Sequence, residues 1–115
     1  LITDCMRAGG MANGQYKLGD FPVVVEGGTA RLMDESHSLA GSILRLFEGV
    51  KNVFDWGIVS AEEAVRMASE NPARSCGIDD VCGFIRPGYD ADFIVITKDL
   101  QLEETFLGGK SVYKA

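Results

Sequence analysis

Glycine sets the first limit on this chain: fourteen of its 115 residues are glycine, and they cut it into short pieces. Brief elements joined by turns are what such punctuation allows, since glycine supplies the positive-φ conformations of turns and weakens element interiors. No piece recurs at a fixed period, which excludes a repeat architecture. Between residues 16 and 32, Gly19-Asp20 and Gly27-Gly28 separate three β-prone runs, Tyr16-Lys17-Leu18, 21–25 and 29–32. That spacing predicts a β-meander, with Pro22 at an edge or a non-bonded position because it has no N–H to give.

A helical period follows. Ile43, Phe47, Val50 and Phe54 fall on one stripe with Leu46 and Val53 beside it, which predicts a helix over 42–56 with Ser42 as N-cap and Gly57 as its stop. Gly49 either weakens that helix or marks close packing. Ser60 and Glu63 have capping-box spacing and open a second helix; Asn71-Pro72 begins a further turn, with Pro72 at the first helical position and Gly77 at its end. Beyond Asp79-Asp80 the period is lost. A turn-bounded strand is expected over 83–88, a buried one over 93–96, and a hairpin from 100–107 and 111–113 about Gly108-Gly109.

Composition narrows the class. Eleven Lys and Arg against 17 Asp and Glu give a net charge of -6, which argues against a nucleic-acid partner, and 46% hydrophobic residues with 24% charged suit a globular domain. The longest apolar run, 93–96, is far below the roughly 20 residues that cross a bilayer, so no membrane partner is expected. Three cysteines, at 5, 76 and 82, without CxxC spacing speak against a disulfide framework or a structural zinc site and fit a reducing cytoplasm. The opening Leu1-Ile2-Thr3 reads as a strand already under way, and a segment of a longer polypeptide is therefore expected.

Few residues offer chemistry. Asp4 stands where that strand gives way to a loop with Gly9, Gly10 and Gly14, a place for a catalytic carboxylate at a parallel strand's C-terminal end or for an Asx turn. Residues 38–42 place backbone N–H groups at a helix start, to bind a ligand or only to cap. His37 is the sole histidine and reads as a loop residue, so no His-rich metal site or two-histidine relay exists within the chain. Asp90 and Asp92 read as turn residues bonded to backbone N–H groups.

Taken in order, Leu1-Ile2-Thr3-Asp4, Ser38-Leu39-Ala40-Gly41-Ser42, Ala64-Val65-Arg66-Met67-Ala68 and Asn71-Pro72-Ala73-Arg74 resemble the C-terminal third of the N-acetylglucosamine-6-phosphate deacetylases. The stretch from Gly83 to Asp92 resembles the segment that, across the amidohydrolase superfamily, returns the chain from the barrel to a small β-sandwich. The resemblance implies an α/β fold: residues 1–78 as the C-terminal end of a metal-dependent hydrolase (β/α)8 barrel, with last strand, hairpin insertion and helices, and 79–115 as strands of the small β-sandwich. It implies deacetylation of N-acetylglucosamine 6-phosphate to glucosamine 6-phosphate and acetate by the parent enzyme, in amino-sugar metabolism. Asp4 matches the catalytic aspartate, acting as general base and then acid on metal-bound water; Leu39, Ala40 and Gly41 match the backbone that touches the amino-sugar phosphate. A divalent metal, zinc or similar, is implied with its ligands upstream of this chain, together with a homodimeric parent. Cys5 departs from the family, where a small residue such as alanine is more usual. The 115-residue chain alone is expected to be inactive. A cyclic amidase related to dihydroorotase and a non-catalytic assembly module are the alternatives; residues 38–42 argue against the first, and a start codon just before Leu1 would favour the second.

Overall fold

Glycine turns fold residues 14–32 into three antiparallel strands, β1 (Gly14–Leu18), β2 (Phe21–Glu26) and β3 (Thr29–Leu32), in a computed structural model that describes residues 1–115. Gly19 has φ 60°, as the first position of a II′ turn requires, and Gly27 and Gly28 have φ 57° and 76°, as a I′ turn requires. The meander matches the sequence expectation. Pro22 sits opposite Lys17 in the central strand, one residue beyond the last β2–β3 pair, Val23 with Leu32, so its missing N–H costs that ladder nothing. Its carbonyl still accepts from the Met33 N–H at 3.0 Å.

A fourth strand, β4 (Leu39–Gly41), joins the sheet in the order β1-β2-β3-β4. Here the expected helix start is corrected. Residues 39–41 pair with β3, and helix α1 (Leu46–Asp55) begins later, because Ser42 Oγ accepts the N–H of Leu44 in a local turn rather than capping the helix. Glu48 Oε2 accepts the Arg45 N–H at 3.0 Å, half of a capping box one turn on. The helix ends as expected: Gly57 at φ 68° with Gly57 N–H bonded to Phe54 O and Ile58 N–H to Val53 O closes it in a Schellman motif. Gly49 is buried, and a β-carbon there would stand 3.4 Å from Leu44 Cδ2, so it marks close packing.

Residues 1–3 form no strand. A parallel strand needs a neighbour along its length, and within this chain that contact is a single bridge, Cys5 with Ser42.

The chain gathers into two units, Leu1–Gly49 and Val50–Ala115. In the first, Met6, Ala8, Val23, Val25, Ala30 and Ala40 form a buried cluster under one face of the sheet, flanked by Tyr16, Leu32 and Ile43. The alternation along β2, with Val23 and Val25 buried and Val24 less so, is that of a sheet with one covered face.

In the second unit, α2 (Ala61–Ala68) opens on the full capping box that its sequence announces: Glu63 N–H bonds Ser60 Oγ at 3.3 Å and Ser60 N–H bonds Glu63 Oε2 at 2.9 Å. Helix α3 (Glu70–Cys76) ends at Gly77 with φ 68°, and Pro72 is its third residue rather than its first, still within the turn whose N–H groups need no intrahelical partner. The strand expected over 83–88 is turn instead. Arg86 lies 4.1 Å over the Phe84 ring, Tyr89 OH donates to Asp79 O, and Asp90 N–H returns to Val81 O, which curls the segment on itself. Strands β5 (Phe93–Ile96), β6 (Leu102–Leu107) and β7 (Lys110–Lys114) form an antiparallel sheet, turning at Gly108 and Gly109 with φ 56° and 74°. Asp92 has the structural role expected of it, although its bond is not local: Oδ1 accepts the Gly108 N–H at 2.7 Å. No helix is long and apolar enough to cross a membrane.

Candidate functional site

Strand β4 is irregular in a way that matters for what it presents. Ala30 pairs with Gly41 and Arg31 with Leu39, so Ala40 is an extra residue, a β-bulge. Bulges re-aim side chains and occur next to sites. Here Ala40 turns into the core at 6% exposure while Leu39 stays 66% exposed. Gly41 has φ 133°, a conformation that a residue with a β-carbon rarely adopts, so the Leu-Ala-Gly order fits the bulge residue by residue.

Leu39 and Gly41 line a cleft of about 430 Å³ on the first unit, together with Gly10, Ser42, Arg45 and Glu48. Ala40 faces away from it. Arg45 brings a positive charge that no ion pair neutralises, since Glu48 is engaged by the Arg45 backbone N–H and the ion pairs lie elsewhere.

Asp4 is exposed, with φ 47°. Asp tolerates that left-handed region better than most residues, and outliers of this kind concentrate where a side chain has to be aimed. Two residues on, Met6 N–H donates to Ser42 O at 2.8 Å, and the Cys5–Ser42 bridge is parallel. The segment that carries Asp4 therefore runs beside the end of β4, although Asp4 itself is not part of the cleft wall.

The loop between β3 and β4 is held from inside. Arg31 Nη1 donates to His37 O at 3.0 Å, and the Ser36 hydroxyl donates to Asp34 Oδ1 at 2.6 Å, which holds the Asp34 carboxyl below its usual range. His37, at φ 46°, serves as a loop residue, as its sequence context predicts. Sequence reasoning missed Met6, Arg45 and Glu48; only the Arg45-x-x-Glu48 spacing carried a signal, obscured by arginine in place of a usual cap residue. No three His, Cys, Asp or Glu side chains come together to hold a metal ion.

The family model of the amidohydrolase family matches residues 21–112. The chain belongs to the amidohydrolase family. Among its relatives, the N-acetylglucosamine-6-phosphate deacetylase of Vibrio furnissii is 43% identical over 115 residues, all of this chain and 28% of that protein. A putative N-acetylgalactosamine-6-phosphate deacetylase of Escherichia coli K12 is 37% identical over 110 residues, 96% of this chain and 65% of that protein. The crystal structure of N-acetylglucosamine-6-phosphate deacetylase from Thermotoga maritima superposes with a TM-score of 0.84 at 34% identity, over 99% of this chain and 31% of that one. The chain thus spans less than a third of the length of the first and third of these proteins.

Proposed function

We propose that this chain is part of an N-acetylglucosamine-6-phosphate deacetylase, an amide hydrolase of amino-sugar metabolism that acts in the cytoplasm as a homodimer. The observation that carries the reading is the 43% identity to the Vibrio furnissii deacetylase across all 115 residues. In it, residues 1–78 are the end of a (β/α)8 barrel, with residues 1–3 as its last strand once a neighbouring strand pairs with them, and 79–115 are strands of a small β-sandwich.

Hydrolysis of an acetamide asks for two proton movements. Water loses a proton as its oxygen bonds the carbonyl carbon, and the amine nitrogen gains one as the C–N bond breaks to leave acetate and glucosamine 6-phosphate. A single carboxylate within reach of both serves as base and then acid. Asp4 is assigned that part, and its exposed position leaves the carboxylate open to substrate and water. Leu39, Ala40 and Gly41 are assigned the sugar phosphate, with Gly41 allowing close backbone approach. A divalent metal does not fit the residues of this chain, which gather no ligand set, and in this reading zinc or a similar ion is held by ligands elsewhere in the polypeptide.

The likeness to an N-acetylgalactosamine-6-phosphate deacetylase supports a second reading, in which the sugar is the galacto epimer. One experiment decides between them. This chain is grafted in place of the matching segment of the Vibrio furnissii deacetylase, and acetate release is measured on both epimers. Turnover of the gluco substrate is the expected result. Preference for the galacto substrate selects the second reading, and turnover of neither by a folded chimera overturns both.

A further inference from the structure

Met6 stands where the two halves of the candidate site meet. Its backbone N–H donates to Ser42 O at 2.8 Å, and its carbonyl accepts from the Gly9 N–H at 2.9 Å and the Cys5 thiol at 3.4 Å. Its side chain is 9% exposed and lies against the bare Cα of Gly41, where a β-carbon would stand 3.5 Å from Met6 Cβ and 3.6 Å from Sδ. One residue thus grips the strand end beyond β4 through its backbone, and β4 itself through its thioether.

The chain between Met6 and Asp4 is also fixed. Cys5 Sγ occupies the space that a β-carbon on Gly9 would take, so the turn behind Asp4 closes only because residue 9 has no side chain. Asp4 holds φ 47°, and a non-glycine residue keeps such a torsion only when its surroundings over-determine it. Downstream of Asp4 the segment is held by the Cys5–Ser42 bridge, by Cys5 against Gly9 and by Met6, and of these side chains Met6 is the one packed against β4.

We propose that Met6 is a positioning residue for the deacetylation, tying the Asp4 carboxylate to the Leu39–Gly41 backbone so that proton transfer and sugar binding keep one shared geometry. The proposal rests on the deacetylase reading above. Methionine suits the task, because an unbranched thioether fills an irregular gap beside a bulge and a bare Cα.

The test uses the full-length chimera. Displacements of about 1 Å from a reacting group cost up to about 100-fold in rate, so Met6→Ala is expected to lower kcat at least about 10-fold and to raise KM in the same variant. Met6→Leu, which conserves volume, restores both. Val23→Ala empties part of the same core away from Gly41 and leaves kcat and KM of the folded enzyme unchanged. Should Met6→Ala fail to fold, the shorter Met6→Val is read in its place. Values of kcat and KM within twofold of the parent, or an equal loss in Val23→Ala, overturn the proposal. An inactive parent chimera counts against the deacetylase reading alone, since amide hydrogen exchange still decides the positioning role. Met6→Ala is expected to speed exchange over residues 4–9 and 39–42 together, and faster exchange in one of these segments or in neither overturns it.

Discussion

The unit Leu1–Gly49 is held by a core and the unit Val50–Ala115 by surface devices. In the first, six buried apolar residues form one connected cluster beneath the sheet. The buried apolar residues of the second are Val50, Ala64, Ala73 and Leu100, two of them alanines, and no connected cluster forms among them. Its order comes from a capping box, the Glu70 carboxylate shared by Arg66 and Arg74, a stacked Phe93–Phe106 pair with ring centroids 4.5 Å apart, and Arg86 on Phe84. Side chains on both faces of its sheet remain open, with Ile94 41% and Val95 38% exposed. All four candidate site residues belong to the unit with the core. Aiming a backbone stretch or a carboxylate to within a fraction of an ångström requires packed support, which exposed ion pairs do not supply.

The largest effect that should separate the units is catalytic. In the chimera, Asp4→Asn keeps the size of the side chain and removes the proton transfer proposed for it, and kcat should fall by roughly 10² to 10⁴-fold. Asp92→Asn, a comparable change in the second unit at a residue that only braces Gly108, should leave kcat near the parent value. Steady-state rates on N-acetylglucosamine 6-phosphate give the answer; equal losses would erase the functional difference between the units.

The next effect is one of packing. Val23 is fully buried, and truncating it to alanine removes about 2 kcal/mol of apolar burial. Val95→Ala, at a position already 38% exposed, should cost well under half as much, about 0.5 kcal/mol. Native-state hydrogen exchange reads the two units separately. A cost at Val95 as large as that at Val23 would show that the second sheet has a covered face after all.

How far the sequence could be read follows the same division between local and distant causes. The β1–β3 meander, the β6–β7 hairpin, the α2 cap and the Gly57 and Gly77 stops were all legible, because each depends on turn or cap chemistry within a few residues. The strand at 39–41 was not, since three residues carry no period and their pairing depends on β3 and on a bulge. The segment 83–88 has the composition of a strand, yet Phe84 and Arg86 are spent on each other. Asp4 and residues 39–41 were legible as candidates, whereas only the fold puts Met6 against Ser42 and Gly41 and brings Arg45 and Glu48 into the same cleft wall. Residues 1–3 show the remaining limit, because a strand is a property of a pair.

A smaller effect tests whether the surface devices of the second unit act locally. Ser60→Ala removes the acceptor of the Glu63 N–H, and loss of such a cap costs about 1 kcal/mol. Exchange should quicken in the first turn of α2 and leave β5–β7 untouched. Propagation into the sheet would mean that the second unit is more cooperative than its burial implies.

The smallest effect is a pH dependence with a defined sign. The Ser60 backbone N–H, and then its side chain, hold the Glu63 carboxyl below the usual glutamate range, opposed by a little desolvation and aided by Arg66. The folded state therefore binds the Glu63 proton less readily than the unfolded state does. Stability that depends on this group is fully present above the unfolded value of about 4.3 and is lost as pH falls through the lower folded value. Protection of the α2 amides should then decline in that acid window, and Glu63→Gln, which keeps a carbonyl acceptor for the Ser60 N–H but no charge, should flatten the decline. The Leu1–Gly49 unit has its own lowered carboxyl, Asp34 in the loop after β3, so coupling is read from Glu63→Gln, which should leave the protection of β2 and β3 unchanged as pH falls. An acid transition in β2 and β3 that Glu63→Gln also flattens would couple the two units and break the distinction between a packed unit and one held at its surface.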